Sequence, residues 1–224
     1  MTDFFSFFNI DTVLLQFGEQ KVSVLEALAT LFGLTCVFLA VRAKVLNFWI
    51  GYAYNILLFA LFFQKGLYSS MLVQPVSFII NAFGHYRWTH PRKDEANRRH
   101  ELKITLLTAQ QRILMVVMLG TLTVVWGFII TQLSTWMPWL FGNAQLPYLD
   151  AFVMITILTA QLLSAQKKLD TWGAWTMVNI TNITLYLMRG LVFMPFVSAS
   201  YLLMAIFGFK IWHGKYIKET TGNE

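Results

Sequence analysis

Charge is scarce in this chain of 224 residues: Asp, Glu, Lys and Arg make up 12%, about half of the roughly 25% found in soluble domains. With 57% hydrophobic residues, there is too little polar side chain to cover a water-facing surface. That composition excludes disorder, collagen and a disulfide-stapled secreted domain. Cysteine is nearly absent. Cys36 stands alone in an apolar run, which excludes a disulfide framework or a cysteine-rich metal site within the chain. No phosphate-binding Walker loop is present, and no nucleophile–base pair or metal-ligand cluster, so neither an enzyme nor a cofactor is expected. No buried series of Asp, Glu or His marks a proton relay. The net charge of +6 does not make a nucleic-acid patch, because the Lys and Arg sit at the ends of apolar segments. There they report membrane topology, with lipid as the surrounding partner.

What is there is a series of charge-free windows at 27–41, 45–64, 66–86, 113–149, 151–166, 171–188 and 190–209. A spanning helix needs about 20 mostly apolar residues, so the windows predict seven transmembrane helices in an all-α membrane protein. The first and fifth are short and extend by a turn at their starts, where Glu26 and Asp150 face the interface. The fourth window is too long for one span. Pro138, Gly142 and Pro147, with Trp136 and Trp139, predict a helix end near Ser134 and then an aromatic interfacial loop. Phe4, Phe5, Phe7, Phe8, Leu14 and Leu15 among acids predict an N-terminal segment lying on the membrane, with no basic start or cleavage site of a signal peptide. Lys21, Lys65 and Arg189 are the 3 basic residues on one side, and the other 14 of the 17 lie opposite. The N-terminus is therefore expected in the periplasm and the C-terminus in the cytoplasm.

Residues 26–88 align with 150–212 at an offset of 124 without a gap. Leu34/Leu158, Thr35/Thr159, Lys44/Lys168, Asn55/Asn179, Ile56/Ile180, Gly66/Gly190, Leu67/Leu191, Phe83/Phe207, Gly84/Gly208 and Trp88/Trp212 are identical, and Glu26/Asp150 and Lys65/Arg189 keep their charge. Apolar helices match by chance, but an asparagine, two glycines, a tryptophan and charged ends at one offset do not. Each copy holds three helices and the fourth lies between them, so both copies enter from the same side. The expected fold is a 3+1+3 parallel repeat, SWEET-like, with a site near mid-depth between the copies. The chain divides into an interfacial segment (1–22), a first triple-helix repeat (23–89), a cytoplasmic loop (90–109), a linker helix and periplasmic loop (110–146), a second repeat (147–213) and a cytoplasmic tail (214–224).

Polar residues fall on helix faces within these spans. Trp172, Trp175, Asn179, Asn182 and Tyr186 are spaced 3, 4, 3 and 4, which is one stripe. Gln74, Asn81 and Trp88 repeat at seven, with Phe78 and His85 beside them; the second helix carries Trp49, Tyr52 and Asn55, and the fifth Gln161. An unpaired amide in hydrocarbon costs several kcal/mol, so these side chains have partners. Either they bind a ligand or they hydrogen-bond between helices, each such bond being worth about 0.6 kcal/mol on average. Trp88 and Trp172 also fit an aromatic belt at the cytoplasmic rim, whereas Trp175, one turn deeper, fits a ligand better. The face suits a small polar molecule with an aromatic ring and hydroxyls, and a cationic one would be held by cation–π contacts. Glu26 and Asp150 could gather cations outside, but helix-capping acids are the plainer reading. His85 fits a cavity or a rim spacer equally. Gly33, Gly51 and Gly84 permit close helix approach.

The runs NFWIGYAYNILLFALFFQKGLYSSMLVQPVSFIINAFGHYRW (47–88) and DTWGAWTMVNITNITLYLMRGL (170–191), with Trp172, Trp175 and Asn179 as the most specific motif, resemble the Pnu family of bacterial vitamin transporters. Within it the resemblance is closest to the PnuC-type nicotinamide riboside transporters, over about 26–212. The resemblance implies a homotrimer, a three-plus-one-plus-three fold, and passive movement of nicotinamide riboside across the inner membrane with trapping by a cytoplasmic kinase. It carries the family's ligand positions onto Asn55, Gln74, Asn81, Trp175 and Asn179; Asn182, Gln161, Trp172 and Tyr186 complete the candidate set. A thiamine or riboflavin carrier of the same fold is a second expectation. A membrane sensor or scaffold whose amides only lock helices is a third.

Overall fold

Capping chemistry and chain reversals set where the helices begin and turn. The structure, a computed structural model, describes residues 9, 12–17, 20–65, 68–98, 100–141, 146–188 and 193–221. Strands β1 (Val13–Phe17) and β2 (Gln20–Ser23) form an antiparallel hairpin. It leads into α1 (Val24–Val41), α2 (Leu46–Gln64), α3 (Tyr68–Thr89), α4 (Ala109–Trp136), the short α5 (Pro138–Phe141), α6 (Pro147–Ala165), α7 (Thr171–Met188) and α8 (Phe193–Thr221). The hairpin is the described part of the segment expected on the membrane surface; residues 1–8 lie outside the described residues.

Ser23 opens α1 with a reciprocal cap. Its hydroxyl accepts from the Glu26 amide at 3.2 Å while Glu26 accepts from the Ser23 amide at 3.0 Å. Thr108 and Gln111 repeat the device at α4 (3.2 and 3.0 Å), and Pro147 opens α6 at its first position. Glu26 is thus a capping acid, and it also receives the Lys65 ammonium. The reversals after α1 and α6 are alike: Ala43 and Lys167 both have φ of 55°, and six-residue loops close from Lys44 N to Leu39 O (3.0 Å) and from Lys168 N to Leu163 O (2.9 Å).

Among the described residues, seven helices have 18 or more residues, and five of them are apolar enough to cross a membrane. The two that fall short, α3 and α7, carry the polar residues: Gln74, Ser77, Asn81 and Arg87 in one, Asn179, Asn182 and four threonines in the other. α1 packs on α2 and α8, α3 on α2 and α6, and α7 on α6 and α8. These contacts close a ring in the order α1–α2–α3–α6–α7–α8, with α4 outside it against α6. At one end of the ring two indoles cross between helix ends. Trp88 Nε1 donates to the Ser164 carbonyl at 3.1 Å and Trp212 Nε1 to the Ala40 carbonyl at 3.1 Å. Trp88 and Trp172 are buried, 4% and 3% exposed, and are core rather than belt residues.

At this end the loop and the tail of the expected division take definite form. The loop after α3 is built: Ala96 bridges Leu102, Thr105 bridges Lys168, and Leu102 and Ile104 are buried with Val41, Phe48, Trp88, Leu169, Trp172 and Trp212. The tail expected beyond residue 213 is the continuation of α8, which runs to Thr221 because Glu219 finds amide donors in that loop. Lys167 is buried there too, its Nζ donating to the Leu102 carbonyl at 2.6 Å and lying 4.9 Å over the Trp88 ring. Burial pushes its amine below the usual lysine value, which the nearby Glu101 and Glu219 partly offset.

Candidate functional site

α2 and α7 are opposite walls of the ring, and each has one wet-chemistry face and one lipid face. Ile56 and Ile180 are 61% and 53% exposed, while their sequence neighbours Asn55 and Asn179 are buried at 8% and 5%. A helix turns 100° per residue, so the buried faces look into the bundle and the isoleucines look out. Asn55 makes no side-chain hydrogen bond among the described residues. Asn179 donates its Nδ2 to the Trp175 carbonyl in its own helix at 2.8 Å, which leaves the amide oxygen as an acceptor.

On α3, Gln74 is buried and donates to the Ser70 carbonyl one turn back at 3.1 Å. Asn81 differs: its Nδ2 donates to the Phe48 carbonyl of α2 at 2.8 Å. Gly51 makes room for it, since a Cβ there would fall 2.8 Å from Asn81 Oδ1. Asn81 is thus engaged as a bond between helices. On α6, the Gln161 Oε1 is buried without a partner among the described residues. Its neighbour Ala160 packs with Leu163 and Ala174, and Trp175 closes this cluster and touches the one around Trp172.

Trp172 lies against Gly208, where a Cβ would come within 2.6 Å of its ring, and meets Trp212 edge-on at 5.3 Å. Its Nε1 is buried and has no partner among the described residues. The equivalent position in the first half is Phe48, pressed in the same way on Gly84 and edge-on to Trp88 at 5.0 Å, and it has no donor to leave unpaired. Trp175, Asn182 and Tyr186 are half-buried along the same helix. The candidates therefore stand on four consecutive walls, α2, α3, α6 and α7. Phe78 and His85 keep to the α3 stripe with Asn81 and meet α2: Phe78 packs on Tyr52 at 4.9 Å, and His85 engages Tyr52 Oη at 3.2 Å while stacking on Phe48.

The residues that sequence reasoning passed over are Leu102, Ile104, Lys167 and Glu219, which cover the ring at the Trp88/Trp212 end. Their signal was the apolar alternation of Leu102, Ile104 and Leu106 inside a basic loop, a strand-like pattern with one face to bury.

Chemically, the buried faces offer amide oxygens, unpaired N–H and carbonyl groups and flat rings. Windows 27–41, 45–64 and 171–188 contribute no ionised side chain. A ring of helices with an uncharged polar interior defines a multi-pass membrane transporter. The profile of the nicotinamide mononucleotide transporter family matches residues 23–214, and the chain belongs to that family; it is a transporter and not an enzyme. It is 30% identical to the nicotinamide riboside transporter PnuC of Escherichia coli over 228 aligned residues, 92% of this chain and 93% of that one. The riboflavin/roseoflavin transporter RibM of Streptomyces davaonensis is 21% identical over 87% of this chain and 86% of its own. A crystal structure of the vitamin B3 transporter PnuC matches the fold with a TM-score of 0.65 at 21% identity, covering 87% of this chain and 83% of that one.

Proposed function

We propose that this chain carries nicotinamide riboside across the bacterial inner membrane by facilitated diffusion. The site lies between two parallel triple-helix repeats, 23–89 and 147–213, in a SWEET-like 3+1+3 arrangement, with the N-terminus periplasmic, the C-terminus cytoplasmic and three copies per assembly. The observation that carries the reading is the pair Asn55 and Asn179, buried at equivalent positions of opposite walls where no ionised group competes. The repeat is supported by the exchange of contacts at an offset of 124: α1–α8 for α6–α3, and Trp88–Ser164 for Trp212–Ala40. The resemblance to the Escherichia coli riboside transporter supports the substrate.

In this reading the carboxamide pairs with Asn179 or Asn55, the ribose hydroxyls with Gln74, Gln161 and Asn182, and the pyridinium ring stacks on Trp175 with Trp172 and Tyr186 at the edge. Asn81 acts through Phe48 and α2. Attraction of the ring cation by an indole needs no carboxylate. The similarity to RibM favours riboflavin as the second candidate. Purified protein in proteoliposomes should take up labelled riboside saturably, without ATP, sodium or a proton gradient. Uptake that collapses when the proton gradient is dissipated would refute the uncoupled mechanism. Quenching of tryptophan fluorescence by riboflavin or thiamine, with none by the riboside, would reassign the substrate.

A further inference from the structure

We propose that residues 101–108 are a movable plug that gates the cytoplasmic end of the transport path, with Glu219 as its latch. This rests on the reading of the chain as a carrier. Leu102 and Ile104, 3% and 2% exposed, sit among residues from the ends of five of the six ring helices: Val41, Phe48, Trp88, Trp172 and Trp212. A solute leaving between the two triplets at this end must pass them.

The plug is held by side chains rather than by a sheet. Glu219 accepts the Ile104 amide at 2.9 Å and the Asn97 side-chain amide at 3.2 Å. Asp170 accepts the Leu107 amide at 2.9 Å and Arg112 at 2.8 Å, and Lys167 donates to the Leu102 carbonyl. Its ladder contacts are Leu102 with Ala96, within the loop, and Thr105 with Lys167 and Leu169, at 3.2 and 2.9 Å. Apart from bonds within the loop, whose Glu95 pairs with Arg87 of α3, the polar anchors of the segment are on the α6–α7 turn and α8, whereas the apolar contacts bridge both triplets. Opening this end therefore requires Leu102 and Ile104 to leave Val41, Phe48 and Trp88, and the segment can leave only when the Glu219 latch releases it. Beside it a cavity of about 420 Å³ runs between Lys103, Leu106 and Thr108 on one side and Tyr216 and Thr220 on the other, and gives the segment room to shift. Asn97 belongs to the same unit, because its amide bonds the Glu101 carbonyl at 2.8 Å and its neighbour Ala96 bridges Leu102.

The test uses the full chain with Cys36→Ala, Asn97→Cys and Glu219→Cys in proteoliposomes, joined by a short reducible bis-methanethiosulfonate reagent. Bridging should slow labelled riboside uptake by about tenfold or more while fluorescence-detected binding is kept, and dithiothreitol should restore uptake. Uptake at the unbridged rate would overturn the gate. Independently, Ile104→Cys in the Cys36→Ala background should react about tenfold faster with an impermeant maleimide from the cytoplasmic face once Glu219→Ala is added. An unchanged rate would overturn the latch. The maleimide reaction uses no substrate, so failure of the unaltered protein to bind riboside would refute the substrate reading and leave the plug to be judged on its own.

Discussion

Asn81 and Asn179 are chemically identical and are predicted to do different work, so replacing each by alanine should separate stability from binding. Asn81 ties α3 to α2 through the Phe48 carbonyl at 2.8 Å and fills the space over Gly51. Its loss removes one bond between helices, worth about 0.5–1.5 kcal/mol net, and leaves a small void against Gly51. A total near 2 kcal/mol lowers the melting temperature by about 4–8 °C in a chain of this size. Among the described residues, Asn179 bonds only the carbonyl one turn back in its own helix. Alanine there gives up that bond and gains roughly 0.6 kcal/mol of helix propensity, so the melting temperature should move little. If its amide oxygen meets the riboside, losing that bond costs about 1–1.5 kcal/mol, which is about tenfold in Kd. Circular dichroism melts and calorimetric titration with riboside read the two effects separately. The reasoning is refuted if Asn179→Ala melts as early as Asn81→Ala and binds riboside with unchanged affinity.

Trp88→Phe and Trp212→Phe should destabilise by similar amounts, about 2 kcal/mol each, because each removes one indole bond to a helix end. Trp88 should be the slightly costlier loss for its contact with Lys167, and thermal melts showing one substitution neutral would contradict the paired role. Asn55→Leu should leave stability equal or higher, since no side-chain bond is lost, while riboside uptake in proteoliposomes falls about tenfold; undiminished uptake would remove Asn55 from the site. The Arg87 guanidinium, bonded to Glu95 at 2.9 Å through both nitrogens, holds the Glu95 carboxyl below its ordinary value of 4.5. The folded group binds its proton more weakly than the unfolded one. Its contribution, under about 1 kcal/mol for so exposed a pair, is therefore complete above 4.5 and fades as the pH falls through the lowered value. Hydrogen exchange at the Lys103 amide, which bonds the Glu95 carbonyl, should accelerate in that acid range in the parent and be insensitive to it in Glu95→Gln.

Hydropathy made the membrane helices legible because an apolar side chain in lipid needs no particular neighbour. The α4 end near Ser134 and the observed end at Trp136 differ by half a turn, set by Pro138 in both cases. The offset of 124 is a reading of the sequence, and the matched indole bonds of Trp88 and Trp212 support it. Spacing also brought out the stripe from Trp172 to Tyr186, but the stripe alone could not say which polar groups were already spent. Asn81 is committed to Phe48, and Phe78 and His85 to Tyr52, because those outcomes depend on the helix next door. The plug was illegible as a structure since its order comes from Glu219 and Lys167, distant in sequence. Lys167 looked like a topology marker in a count of basic residues and Glu219 fell in the expected tail, and both became anchors only once the helix ends converged.

The crossed indoles have a consequence for how such a chain could arise. Trp88 belongs to one triplet and reaches the other; Trp212 does the reverse. A single triplet thus carries both the donor and the acceptor of the joint, so two separate copies side by side, facing the same way, already hold everything the joint requires. In the parallel arrangement proposed above, what α4 adds is a tether and one extra crossing of the bilayer, by which a duplicated gene would keep both copies pointing in one direction.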